Sequence, residues 1–122
     1  PHLIAGATGI AACLGADFAK VSYPQKVGKK SEILLKEAIY AAGRTGVILS
    51  GGSLTSPRHF LEDVHKQLHI SGSRGNATGR NVHEKPEAEA IRFANAIASI
   101  TLGGKGVDFA YKVYVGEKSF KL

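Results

Sequence analysis

The segment Gly46-Val47-Ile48-Leu49-Ser50-Gly51-Gly52 is the clearest indicator of fold class in this chain. Its apolar run is uninterrupted, as is typical of a parallel strand that is covered on both faces. The two glycines that close it favour a tight turn into a helix. Two further strands are predicted, at residues 17–22 before this segment and at residues 74–78 after it. The third strand is followed by Gly79-Arg80-Asn81, so two consecutive strands end in glycine-containing loops.

Helical segments alternate with these strands. Their predicted spans are His2 to Leu14, Ser31 to Gly43, Pro57 through Leu68, and Pro86 to Gly103-Gly104. Alternating helices and strands imply a parallel sheet with right-handed crossovers, that is, an α/β fold. Two architectures satisfy this order. One is a small, three-stranded doubly wound domain. The other is the C-terminal half of a (β/α)8 TIM barrel, since a whole barrel needs about 250 residues.

The last eighteen residues have a different pattern. Val107, Phe109, Tyr111, Val113 and Val115 alternate with more polar residues, and alternation at every second position is typical of extended chain. The sequence therefore predicts a half-barrel over residues 1–104 and an extended tail or hairpin over residues 105–122.

Composition and charge indicate which kinds of molecule this chain could bind. The chain has 122 residues, the length of one ordinary domain, and no apolar run of about 20 residues that a membrane helix would need. The net charge of +6 is spread along the chain without an arginine-rich tract or an aromatic platform. We therefore expect small anionic ligands as partners, and neither nucleic acid nor membrane.

The cysteine count and the first residue bear on the origin of the chain. Cys13 is the only cysteine, which suits a reducing compartment and predicts a cytoplasmic protein in which Cys13 is a small core residue. The chain begins with Pro1 and contains no methionine. We expect it to be a piece of a longer or processed polypeptide.

Lys20 is the candidate catalytic residue. It interrupts the apolar segment of the first predicted strand, and an ammonium group buried there needs a partner or the loss of its proton. A desolvated amine is a nucleophile toward carbonyl carbon. Its alternative role is that of a strand-end lysine whose ammonium reaches solvent.

The glycine loops are the candidate phosphate sites. Glycine allows the backbone N–H groups to approach an anion closely, and Arg80 adds a charged donor. In barrels, the loops after strands seven and eight commonly bind phosphate. The alternatives are an ordinary turn at Gly51-Gly52, a capping role for Ser50 and a surface position for Arg80.

Other kinds of site lack support in the sequence. His65 and His69 have a spacing that can bind zinc on a helix, but no convincing third ligand accompanies them. Neither a dinucleotide-binding glycine motif after a strand nor a nucleophile elbow is present. The sequence therefore predicts no metal and no cofactor.

Three motifs together resemble a known family. They are Gly15-Ala16-Asp17-Phe18-Ala19-Lys20-Val21, Leu49-Ser50-Gly51-Gly52, and Gly75-Asn76-Ala77-Thr78-Gly79-Arg80-Asn81. In order and spacing they are similar to the archaeal-type (DhnA) class I fructose-bisphosphate aldolases. The resemblance covers residues 1–101 and implies the half-barrel, with strands that correspond to strands six to eight.

The resemblance also implies roles for individual residues. Lys20 would be the Schiff-base lysine on strand six. The substrate phosphate would be bound by Ser50, Gly51 and Gly52 after strand seven, and by Gly79 and Arg80 after strand eight. The family's tyrosine acid/base group lies on strand five and another important aspartate on strand one. These would come from an N-terminal half of the barrel, as a second chain or an upstream segment.

The expected function is therefore a Schiff-base aldolase acting on a phosphorylated ketose such as fructose 1,6-bisphosphate, in a homo-oligomer. One alternative is another phospho-sugar aldolase, transaldolase or thiolase of the same superfamily. The other is a non-catalytic, phosphate-binding half-barrel that serves a structural role.

Overall fold

The computed structural model describes residues 2–121 and contains six α-helices and three β-strands, which alternate as far as the last strand and are followed by three helices. The elements are α1 (His2–Cys13), β1 (Phe18–Val21), α2 (Ser31–Ala42), β2 (Gly46–Ser50), α3 (Pro57–His65), β3 (Gly75–Ala77), α4 (Arg80–His83), α5 (Glu87–Thr101) and α6 (Val107–Val115). A π-helical segment, Lys66–Ser71, continues from α3. By their internal contacts these elements form two units.

The first unit contains the residues through Gly52 together with Lys66–Ala77. Its strands form one parallel sheet in the order β1–β2–β3, as the alternating pattern predicted. Val47 and Leu49 on β2 are buried against Leu35, Ala38 and Ala42 of α2. This helix covers one face of the sheet because its apolar residues recur every three or four positions.

Helix α1 packs against α2 through small side chains. The buried Thr8 hydroxyl donates to the carbonyl oxygen of Ala38 at 2.9 Å, and also contacts the carbonyl oxygen of Ala5 within its own helix at 2.9 Å. Gly9 lies beside Ala41, where an added Cβ would come within 3.6 Å of the Ala41 carbonyl oxygen. Alanine, glycine and threonine therefore allow the two helix backbones to approach closely, and one hydrogen bond sets their register.

The second unit contains Ser53–His65 and the residues from Thr78 onward. Its core is aromatic, with the rings of Phe60 and Phe93 centred 5.6 Å apart and those of Phe93 and Tyr114 centred 5.2 Å apart. These tilted and edge-on arrangements are favourable for aromatic pairs. They join α3, α5 and α6 into one helical cluster.

The prediction of an extended tail after residue 104 is wrong over half of its length, because Val107–Val115 forms helix α6. The buried residues Ala110 and Val113, with half-buried Tyr114, recur at helical spacing. Gly106 precedes the helix, and Gly116 ends it with a φ of 87°. The alternation was misleading because every second member of it is four residues from the last, as Val107 is from Tyr111, and such pairs also share one face of a helix.

Two local expectations are also corrected. Cys13 is exposed and not a core residue, because α1 turns only one side toward α2 within the first unit. The third helix ends at His65, and Lys66–Ser71 is π-helical. The wider π turn changes which side chain faces inward, so that Gln67 is buried while Leu68 is half-buried.

Among residues 2–121, no helix is long and apolar enough to span a membrane.

A hydrogen-bonded contact holds α6 to α5. The Tyr114 hydroxyl donates to Glu89 Oε1 at 2.5 Å, and the Lys85 ammonium lies 3.2 Å from the same oxygen. These donors lower the pKa of Glu89, with the Tyr114 hydrogen bond as the largest cause. Partial burial, followed by the hydrogen bond to Glu89, raises the pKa of Tyr114 to about 12.

We predict an alkaline loss of stability that depends on Tyr114. In the folded chain the phenol retains its proton above its ordinary pKa of about 10. The resulting stabilisation is complete below pH 10 and disappears as the pH rises toward 12. Unfolding by denaturant at pH 8, 10 and 11.5 should therefore show a steeper alkaline fall in the unfolding free energy of wild type than of Tyr114→Phe. Parallel falls would contradict the contribution of this hydroxyl.

Candidate active site

Lys20 lies on β1, the edge strand of the sheet within the first unit. Ala19 is buried, whereas Phe18 and Lys20 are exposed. The expectation of a lysine within a buried strand is therefore wrong for the chain as described. The physical reason is that α2 covers only the face that bears Ala19, and successive strand side chains point to opposite faces.

The register of the sheet places Lys20 and Ser50 on the same face. Lys20 is paired with Ile48 on β2, and Ser50 lies two residues further along that strand. Side chains two residues apart share a face, as do paired residues on neighbouring parallel strands. Ile48 and Ser50 are half-buried, in contrast to the buried Val47 and Leu49 of the opposite face. The amine and the hydroxyl thus belong to one row near the carboxyl ends of the strands.

The ends of β2 and β3 are joined beyond the last strand residue. The Gly51 N–H donates to the carbonyl oxygen of Ala77 at 3.0 Å. Gly52 follows with a φ of 66°, in the left-handed region, and open space surrounds the position of an added Cβ. The loop therefore turns at Gly52, and the Gly51 amide is bonded to the end of β3.

Gly79 and Arg80 belong to the second unit. Gly79 immediately precedes α4, and its carbonyl oxygen accepts hydrogen bonds from the N–H groups of Val82 and His83. Arg80 is the first residue of that short helix and is exposed. The sequence did not predict α4, which is only four residues long.

Asn81 is a residue whose contacts sequence reasoning missed. It is only 3% exposed, although it follows exposed Arg80. Its side chain bonds to the backbone of Ser53 and Thr55, more than 25 residues earlier in the chain. Asn81 is the last residue of the third motif, and this was the only sign in the sequence that it matters. Its hydrogen bonds to Ser53 and Thr55 could not be predicted, because they depend on the tertiary structure.

Within the described part of the chain, no group of three or more histidine, cysteine, aspartate or glutamate side chains is arranged to hold a metal ion.

Comparison with protein families identifies the chain. Residues 1–85 match the DeoC/LacD family of aldolases. The chain belongs to the DeoC/LacD aldolase family. The resemblance that the three motifs indicated is therefore confirmed.

Curated members of this family are similar over most of the chain. It is 56% identical over 118 residues to the fructose-bisphosphate aldolase/6-deoxy-5-ketofructose 1-phosphate synthase of Methanocaldococcus jannaschii, a match that covers 97% of this chain and 37% of that protein. It is 39% identical over 110 residues to the class 1 fructose-bisphosphate aldolase of Halobacterium salinarum, covering 90% of this chain and 39% of that protein. The chain thus spans less than two fifths of the length of these relatives.

Solved structures agree with the sequence comparison. A fructose-bisphosphate aldolase from Slackia heliotrinireducens superimposes with a TM-score of 0.95 at 48% identity, covering 100% of this chain and 39% of that one. An archaeal fructose 1,6-bisphosphate aldolase superimposes with a TM-score of 0.71 at 35% identity, over 85% of this chain and 38% of that one. The predicted α/β fold, three parallel strands with helices from part of a TIM barrel, is confirmed.

Substitution of Gly52 would test whether the loop after β2 requires a positive φ at this position in this member of the DeoC/LacD family. Because Gly52 has a positive φ, we predict that Gly52→Val lowers the unfolding free energy by about 1–3 kcal/mol, the cost of strained backbone at a non-glycine residue. Gly52→Asn should lose clearly less, since asparagine tolerates the left-handed region. Thermal and denaturant unfolding would measure both. Equal losses would contradict a backbone origin, because neighbouring atoms leave space at this position.

Proposed function

We propose that this chain carries the nucleophile and the phosphate-binding residues of a class I, Schiff-base-forming aldolase. The observation that carries the proposal is the position of Lys20, which shares the uncovered sheet face with Ser50 near the carboxyl ends of the strands. This is the end at which barrel enzymes bind substrate. Similarity supports it, since one related structure is named for a catalytic lysine bound covalently to the carbinolamine intermediate of its substrate.

The chemistry begins at the Lys20 amine. Its nitrogen lone pair attacks the keto carbon of the substrate to form a carbinolamine, in which the carbonyl oxygen becomes a hydroxyl group. Loss of water gives a protonated imine. Removal of the proton from the hydroxyl group at C4 of the ketose then breaks the C3–C4 bond and releases an aldehyde. The electron pair of that bond enters the imine to form an enamine. Protonation of the enamine and hydrolysis release the ketone product and restore the amine.

Substrate phosphate is the proposed ligand of the loops. Ser50, Gly51 and Gly52 would contact it from the end of β2. The Ser50 hydroxyl and the glycine backbone at this turn are the proposed contact groups. Gly79 and Arg80 are likewise proposed to contact substrate phosphate, with Arg80 supplying positive charge.

The remaining machinery is proposed to lie outside this sequence. The N-terminal half of the barrel would supply the tyrosine acid/base group and the aspartate that the family resemblance implies, as a second chain or an upstream segment. Its strands would cover exposed Phe18 and Lys20. Association into a homo-oligomer, a cytoplasmic location and the division into residues 1–104 and 105–122 also stay predictions.

A second candidate activity has a specific observation in its favour. The Methanocaldococcus jannaschii relative is named both as a fructose-bisphosphate aldolase and as a 6-deoxy-5-ketofructose 1-phosphate synthase. A reaction on another phosphorylated ketose would use the same lysine chemistry. Turnover of a panel of phosphorylated ketoses and aldehydes by the complete enzyme would separate the two activities. A non-catalytic half-barrel would show neither.

We predict that Lys20 forms the covalent imine. Borohydride reduction of the complete enzyme in the presence of dihydroxyacetone phosphate should convert the imine to a stable secondary amine, and peptide mass analysis should place the adduct on Lys20. Lys20→Ala should abolish both adduct and turnover, whereas Lys26→Ala, in the exposed loop after β1, serves as the matched control. An adduct that persists in Lys20→Ala would refute the assignment.

We predict that Arg80→Ala weakens binding of phosphorylated substrates. Loss of a charged hydrogen bond should raise KM by an amount worth about 1.5–3 kcal/mol, with a smaller effect on kcat. Arg74→Ala is the matched control, since exposed Arg74 lies before β3 and therefore at the opposite end of that strand. Steady-state kinetics with phosphorylated and unphosphorylated forms of one substrate would measure the change. Equal losses for both forms would show that Arg80 does not bind the phosphate.

A further inference from the structure

The buried side chain of Asn81 forms hydrogen bonds to the backbone of an exposed loop. Its amide nitrogen Nδ2 donates to the carbonyl oxygen of Ser53 at 3.0 Å, and its Oδ1 accepts from the backbone N–H of Thr55 at 3.1 Å. Asn81 is 3% exposed, whereas Ser53 and Thr55 are both exposed. One side chain thus fixes the backbone on both sides of Leu54, and all of these residues belong to the second unit.

The chemistry of the two bonds requires an amide. The Ser53 carbonyl needs a donor and the Thr55 N–H needs an acceptor, and asparagine supplies both from one short side chain. Aspartate has the same shape, but when ionised it can only accept. It would keep the bond to Thr55 and place a second oxygen against the Ser53 carbonyl oxygen.

The residues next to Ser53 and Asn81 in the sequence suggest a function for this contact. Ser53 directly follows Gly52, and Asn81 directly follows Arg80. The two hydrogen bonds therefore join the backbone that bears Arg80 to the Ser53–Thr55 segment of the same unit. A phosphate contact gains affinity when its backbone is ordered before the ligand arrives, because less conformational entropy is lost on binding.

We propose that Asn81 is a positioning residue for phosphate recognition, which rests on the proposed function of the loops. Its proposed role is indirect, since its side chain bonds to Ser53 and Thr55 and thereby orders the backbone of neighbouring Arg80. Because these loop groups are exposed, water can replace the side-chain bonds when Asn81 is truncated. The effect of truncation should therefore fall on the affinity for phosphate and only weakly on the melting temperature.

The test compares two ketones that differ only by a phosphate group. Borohydride trapping on the complete enzyme is measured against the concentration of dihydroxyacetone phosphate and of dihydroxyacetone. Wild type should be half-trapped at a much lower concentration of the phosphorylated ketone. Asn81→Ala should reduce this preference by about 5- to 20-fold, the factor expected from the loss of one or two ordinary hydrogen bonds. Trapping by dihydroxyacetone should remain close to wild type.

Two companion variants make the result specific. Asn81→Asp should lose the phosphate preference at least as strongly, while hydrogen exchange at the Thr55 amide stays slower than in Asn81→Ala. Asn95→Ala, an exposed asparagine on α5 of the same unit, is the matched control and should keep the wild-type preference.

Different outcomes would separate this inference from the function on which it rests. A wild type that traps both ketones equally well would overturn the phosphate assignment and the positioning role together. A wild type that prefers the phosphate, with the same preference in Asn81→Ala, would overturn only the role of Asn81. A lower melting temperature accompanied by equal losses for both ketones would also overturn it, since that is the effect of a purely structural residue.

Discussion

Parallel pairing of β2 with both of its neighbours is the constraint on which the rest of the first unit depends. The pairing Lys20–Ile48 and Ser50–Ala77 aligns the carboxyl ends of three strands that are far apart in sequence. It also determines which side chains share a face, because a shift of one residue would exchange the two faces. The hydrogen bond from Gly51 to Ala77 extends this alignment past the last residue of β2. The same pairing that buries Val47 and Leu49 under α2 therefore places Lys20 and Ser50 on the other face.

The two faces of this sheet have different chemical character. Under α2 the core is aliphatic and closed. On the other face Phe18 is 61% exposed and Lys20 is exposed. Phe18 and Lys20 share this face because they are two residues apart on one strand. Exposing the aromatic ring to water is unfavourable, whereas the ring could be buried in the interior of a barrel. The relatives are more than twice as long as this chain, and their additional length is the proposed source of the cover.

Much of this architecture could be predicted from sequence because each element is encoded locally. The apolar run at residues 46–50 matched β2 in full, and Pro57 was correctly predicted as the start of α3. The errors concern residues whose burial or hydrogen-bond partners depend on the tertiary structure. The exposure of Lys20 depends on what covers the sheet, and the burial of Gln67 depends on a π turn that has no clear sequence signal. The same holds for Asn81, whose partners Ser53 and Thr55 are fixed by the fold and not by spacing.

The close contact of α1 with α2 has a consequence for protein engineering. The two helices meet at Thr8 and Gly9, and the Thr8 hydroxyl reaches a backbone carbonyl of the other helix. A methyl group is accommodated at Gly9, but a larger side chain would have to push the helices apart. Substitutions would therefore be tolerated unevenly around α1. The side toward α2 would accept only small residues, and a hydroxyl group would be hard to replace at position 8.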